Sequence, residues 1–186
     1  MDYLTSPLSR KEIRAIAKAI RVLFKCKNKY RFDAVDAFEK LPKMFPNVCC
    51  EVIEDDDFSE VAKDVPSACI PGFDGSYRIL VREKVYDGAA RGVGGYRTHI
   101  VHEISHYFLC ELGHKPILNR SFGNGEIRPC YRSMEWQAKA LAGEITVPYE
   151  ETKELSISQI MTYCQVSLDS AERRKKIDQY RKKTNK

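Results

Sequence analysis

Several signals that would sort a chain quickly are missing from this one. Its seven cysteines never fall in a CxxC spacing, which removes the usual sign of a zinc ribbon or a dithiol redox centre. The odd count excludes complete pairing as disulfides, and scattered thiols read as small hydrophobes of a reducing compartment. Adjacent Cys49 and Cys50 in an alternating strand point to opposite faces and make no paired site. No run approaches the ~20 apolar residues of a membrane span, and no apolar leader follows Met1. The expectation is a soluble, cytoplasmic protein without a membrane partner. The glycines between 88 and 95 lack the GxGxxG order after a strand, so a dinucleotide loop is rejected. Internal repeats are absent too, as are low-complexity linkers apart from the tail.

What is present is a globular composition: 186 residues, 43% hydrophobic and 31% charged, enough for one compact core. The formal charge of +5 has an address. Residues 173–186 hold eight Lys/Arg against Asp178 alone, so the rest of the chain is slightly acidic. A near-neutral body with a basic tail argues against a dedicated nucleic-acid-binding domain. The tail reads as a solvated helix end with at most weak contact to nucleic acid or an acidic partner.

The elements follow from local signals. Ser9 with Glu12 is a capping box ahead of Ile13, Ile16, Ala17, Ile20, Leu23 and Phe24 at helical spacing. A second helix starts near Asp33, turns Val35, Phe38 and Leu41 inward, and stops before Pro42 or Pro46. Strands are expected at 48–54, 68–71 and 77–82, the last two joined by a hairpin loop, with an acidic turn at 54–57 and a short helix capped by Asp57 at 58–64. Residues 82–95 read as a flexible crossover and 115–131 as a loop. Helices are expected at 98–112 and from Ser133 to near Pro148, and Ser156 with Gln159 is a second capping box before two helices broken near Val166 and Ser167. The fold class is α+β.

Chemistry concentrates at His102-Glu103-Ile104-Ser105-His106, an HExxH motif. On a helix, positions i and i+4 share a face, so both imidazoles reach one zinc ion. Glu103 falls off that ligand vector but can take a proton from a water at the metal and deliver it to a leaving amine. Apolar neighbours Ile100, Val101, Ile104, Tyr107, Phe108 and Leu109 suit a buried active-site helix. A third ligand is required. Glu135, opening a helix with Ala138, Leu141, Ala142 and Ile145, is the first candidate, with Glu111 and Glu144 as alternatives. His99 and Tyr131 are candidates for an oxyanion or substrate contact, each with a framework role as the plainer reading. His114 suits capping of the preceding helix, and Cys110 a core contact.

The motif together with Glu135-Trp136-Gln137-Ala138-Lys139-Ala140-Leu141-Ala142-Gly143-Glu144-Ile145-Thr146-Val147-Pro148 resembles the ImmA/IrrE metallopeptidase family over roughly residues 10–180. Ser105 stands where that family often has glycine, and Thr146-Val147 is less apolar than its usual ending. The resemblance implies a zincin-like, gluzincin-type core with a small sheet, an HExxH helix, a glutamate-ligand helix and a C-terminal helix pair. It divides the chain into a metallopeptidase domain at 1–150 and a helical extension with a basic tail at 151–186. It also implies a cytoplasmic zinc endopeptidase, with His102, His106 and Glu135 as Zn2+ ligands and Glu103 as general base. The implied substrate is a helix-turn-helix repressor encoded nearby on a phage or mobile element. Two other readings stand beside it: a repressor-binding protein that keeps the scaffold without cleaving, and a nucleic-acid binder acting through the C-terminal helices.

Overall fold

The computed structural model describes residues 3–117 and 129–184; the glycine-containing middle of the expected 115–131 loop lies outside them. Two helices open the chain, α1 (Arg10–Leu23) and α2 (Ala34–Met44). α1 starts where the capping box puts it: Ser9 Oγ accepts from the Glu12 amide, and the Glu12 carboxylate accepts from the Ser9 amide at 2.7 Å. Its apolar stripe, Ile13, Ala17 and Ile20, is buried, each isoleucine contributing about 1.5–3 kcal/mol. α2 is capped by Asp33, runs through Pro42 and ends before Pro46, the second of the two expected stops. The Pro42 ring removes one amide, yet the next turn closes because the Phe45 amide reaches the Leu41 carbonyl at 3.0 Å while Phe38 and Leu41 stay in the core.

Three strands follow, β1 (Val48–Ile53), β2 (Ser67–Pro71) and β3 (Tyr77–Arg82), in the sheet order β1-β3-β2. β1 runs parallel to β3, and β2 pairs antiparallel to it through the expected hairpin, with Cys69 opposite Ile79. That topology leaves β2 on the edge of the sheet. Between β1 and β2, α3 (Asp55–Val61) corrects the expected acidic turn. Asp55, Asp56 and Asp57 form its first turn, where a helix favours negative charge, and Phe58 is fully buried beneath them.

The expected crossover is also a helix, α4 (Glu83–Ala90), followed by α5 (Gly94–Glu111), which begins four residues earlier than the apolar spacing suggests. Glycines here permit close packing. A Cβ on Gly88 would collide with the Tyr96 ring, and one on Gly94 would sit 2.5 Å from the Val166 carbonyl carbon and 2.6 Å from the Ser167 nitrogen. α5 is apolar on most faces, with Ile100, Val101, Ile104, Tyr107 and Leu109 fully buried between sheet and helices.

A 3-10 turn (Cys130–Arg132) leads into α6 (Met134–Thr146), then a one-turn α7 (Tyr149–Thr152), α8 (Ile157–Cys164) and α9 (Leu168–Thr184). α8 carries its capping box and ends at Gln165, whose φ of 55° turns the chain before α9. The result is α+β: a three-stranded sheet, separate helices bearing the two motifs, and a C-terminal helix pair.

One expectation about the tail is overturned. Arg174 is no solvated tail residue: its side chain is 3% exposed and donates to Glu144 Oε1 at 2.9 Å, with Glu144 2% exposed. It also donates to the carbonyls of Gly143 and Val147 at the end of α6, and Arg14 approaches the same Glu144 oxygen at 3.3 Å. The Val147 carbonyl lies just past the last turn of α6, and the Gly143 carbonyl takes the guanidinium in addition to the Val147 amide. Arg173, one residue earlier, is 66% exposed as a tail residue should be. Among the described residues no helix is long and apolar enough to cross a membrane.

Candidate metal centre

The two motif histidines lie on consecutive turns of α5, their rings nearly perpendicular at 81° and their Nε2 atoms 3.1 Å apart. Glu135 comes to them from α6. Ser133 caps that helix by accepting from the Trp136 amide at 2.9 Å, which places Glu135 in the first turn. The capped end is pinned from outside as well. The Met134 amide bonds the Tyr3 carbonyl, the Thr5 amide bonds the Arg132 carbonyl, and the Gln137 side chain donates to the carbonyls of Ser6 and Tyr131.

Glu135 Oε1 is 3.2 Å from His106 Nε2, and Oε2 is 3.4 Å from His102 Nε2. One ligand atom from each of the three residues falls within 4.8 Å of the others. Tetrahedral bonds of ~2.0–2.1 Å to one ion put ligand atoms about 3.3 Å apart, so these separations suit a shared divalent cation. Two neutral imidazoles and a carboxylate are also the donor set of an open catalytic site. Hydrogen bonds from His102 and His106 hold the Glu135 carboxyl far below its ordinary pKa, so it stands here as an anion.

Of the alternative ligands, neither approaches the pair. Glu144 is committed to Arg174 and Arg14, and its second oxygen accepts from the Tyr149 amide at 3.3 Å. Glu111 is exposed at the last residue of α5.

Glu103 is 6% exposed and lines the same cavity as the three ligands. Its Oε1 accepts from Ser67 Oγ at 2.9 Å, a bond buried at both ends. Ser67, at the start of β2, was not singled out from sequence: only the β2–β3 register brings it under α5, and no local signal announces that. Ser105 costs the helix nothing, since its hydroxyl returns to the Val101 carbonyl at 2.7 Å.

The cavity, about 1020 Å³, runs from the β2 edge past the histidine pair and along α6 to the first turns of α9. His99 stands in it, open to solvent at its rim, while burial and the neighbouring His102 hold its pKa below the ordinary value. Tyr131 is placed elsewhere, 47% exposed on the 3-10 turn and outside the cavity lining, whereas Tyr3 lines it. His114 does not cap α5 with its ring. Its amide makes the helix-end bond to Leu109, and the ring pairs with Ser6 Oγ at 2.9 Å, tying the N-terminal segment down. Cys110 is buried in the core, and burial raises its thiol pKa.

The site is thus a zincin-like cluster of two imidazoles and a carboxylate beside a buried glutamate, suited to metal-dependent hydrolysis. No protein-family model and no curated protein sequence matches the chain.

Proposed function

We propose that the protein is a zinc-dependent endopeptidase whose target is a helix-turn-helix repressor in the same cytoplasm. The observation that carries the peptidase reading is the meeting of His102, His106 and Glu135 with Glu103 buried beside them. The repressor comes from the resemblance of the two motifs to the ImmA/IrrE family. His102, His106 and Glu135 are the residues that would hold Zn2+. When bound, the ion supplies Lewis acidity and a nucleophile at neutral pH, by polarising a carbonyl and lowering the pKa of water.

The remaining work belongs to the protein's own groups. Glu103 accepts the proton of the attacking water and returns it to the departing amine. Ser67 occupies one carboxylate oxygen of Glu103 at 2.9 Å, and among the described residues no other group competes for the second. The β2 edge lines the cavity and offers backbone groups to an extended substrate, fixing it by main-chain pairing. The C-terminal helices, whose α9 forms the far wall, are the natural place for a folded target to rest.

The test is incubation of the zinc-loaded protein with the repressor encoded beside it, fragments being read by mass spectrometry. The parental protein is expected to produce fragments. Glu103→Gln should retain its metal and produce almost none. Cleavage by Glu103→Gln at the parental rate defeats the mechanism. Tight repressor binding without fragments from the parental protein establishes the non-cleaving reading instead.

A further inference from the structure

One cation on the cleft wall is not engaged like its neighbours. Four other buried or half-buried arginines are committed: Arg174 and Arg14 to Glu144, Arg82 to the Val65 and Asp55 carbonyls, and Arg97 to Gln165. Arg10, the first residue of α1, lines the cavity and makes no hydrogen bond or ion pair among the described residues. Its guanidinium carbon lies 4.9 Å from the centroid of the Trp136 ring. Trp136 directly follows the ligand Glu135 and, like Arg10, lines the cavity that holds the metal centre.

The nearest acid cannot satisfy Arg10. Both oxygens of Glu144 are taken, one by Arg14 and Arg174 and the other by the Tyr149 amide. Burial lowers the pKa of Arg10, with Glu144 opposing only in part, which describes a cation that has lost water without gaining an anion. Stacking on an indole fixes the plane of a guanidinium and leaves its N–H edge free for the two oxygens of a carboxylate. Lys139, one turn beyond Glu135 on α6, also lines the wall, but its ammonium lies 3.7 Å from the Glu135 carboxylate, which leaves Arg10, of the two, as the cation without an acid among the described residues.

We propose that Arg10, braced on Trp136, is a carboxylate-binding subsite of this cleft, so that the peptides taken carry an acidic side chain or a free C-terminal carboxylate close to the bond at the metal centre. The binding claim stands on this geometry, while its consequence for cleavage rests on the peptidase reading. A fork-shaped donor pair discriminates strongly between an acid and its amide, because the amide brings a donor where an acceptor is needed and no charge to meet the guanidinium.

Trp136 is the only tryptophan in the chain, so its fluorescence reports on the subsite directly. The experiment titrates full-length, zinc-loaded Glu103→Gln protein with acetylated alanine hexapeptide amides carrying one Glu at successive positions. The Gln counterparts and an all-alanine peptide with a free C-terminus complete the set. An acidic peptide should bind about tenfold tighter, or more, than its amide. Preference for internal Glu or for the free terminus tells the two carboxylate sources apart. Adding Arg10→Gln should abolish the preference at unchanged metal content and melting temperature, and Arg10→Lys should keep only part of it. Equal binding of acid and amide, no binding of any acidic peptide, or a preference that survives Arg10→Gln overturns the proposal. Parental protein given the same peptides separates the two readings. Acid-selective binding with no hydrolysis sinks the peptidase and spares the subsite, while hydrolysis indifferent to the acid sinks the subsite and spares the peptidase.

Discussion

Replacing Arg174 with methionine should cost the protein far more than replacing Arg173 with alanine, although the two are neighbours in a basic tail. Arg174 is 3% exposed, bonded to Glu144 and to two carbonyls that end α6. Breaking a buried ion pair by removing one partner typically costs 3–5 kcal/mol, because the other charge is left in a poor environment. Here Arg14 still reaches Glu144 at 3.3 Å, which holds the loss near the lower end, about 3 kcal/mol. For a chain of this length, each kcal/mol moves the melting midpoint by about 2–4 °C, giving a drop of about 6–12 °C. Arg173 forms an exposed pair with Asp169, and its removal should cost under about 0.5 kcal/mol. Urea unfolding of both variants provides the comparison, and a double-mutant cycle should give about 1.5 kcal/mol or more of coupling between Arg174 and Glu144 against almost none between Arg173 and Asp169. Equal, small losses at both positions would refute the burial argument and return α9 to the status of a fraying appendage.

Other outcomes follow from the centre and its surroundings. Ser67→Ala removes the donor to Glu103 and should lower kcat about tenfold, with metal content and KM little changed and Ser67→Thr restoring most of the rate; the same kcat in Ser67→Ala denies Ser67 a positioning role. Saturating Zn2+ should raise the melting temperature, since a ligand at a thousand times its Kd stabilises the folded state by about 4 kcal/mol, and Glu135→Ala should lose most of that shift. A chelator with no effect on melting would count against a metal held by these three residues. In the native protein a thiol reagent at pH 8 should modify Cys49 and Cys130, the exposed pair, well before Cys50 and Cys164, whose pKa values burial pushes up to about 12 and about 11. Uniform reactivity of all the thiols would show that those core positions open readily.

The parts of the fold that were legible in the sequence are those decided within a few residues. Ser9 with Glu12 and Ser156 with Gln159 mark helix starts because each box closes on its own backbone. The histidine pair is legible for the same reason, since i and i+4 must share a face. Pairing these histidines with Glu135 was harder, as it required two helices to pack; it became specific only because Ser133 caps the second helix and Glu144, the rival acid, is spent on arginines. What stayed hidden was decided at long range. The sequence left open whether Pro42 or Pro46 ends α2, and core contacts that outweigh the lost Pro42 amide decide for Pro46; the glycines around α4 serve tight packing where they looked like flexibility. Ser67 reaches Glu103 across 36 residues of separation, and Arg174 leaves its cationic neighbours for a buried acid. Neither carries a mark in its own stretch of chain.

The contact at Gly94 carries a mechanical consequence. There the first turn of the imidazole-bearing helix meets the junction of the last two helices backbone against backbone, with no side chain between them to yield. At 1.5 Å per residue that seam lies only about 12 Å along the helix from His102. Whatever levers the terminal pair away from the body must split this seam or pull the metal-binding turn along with it.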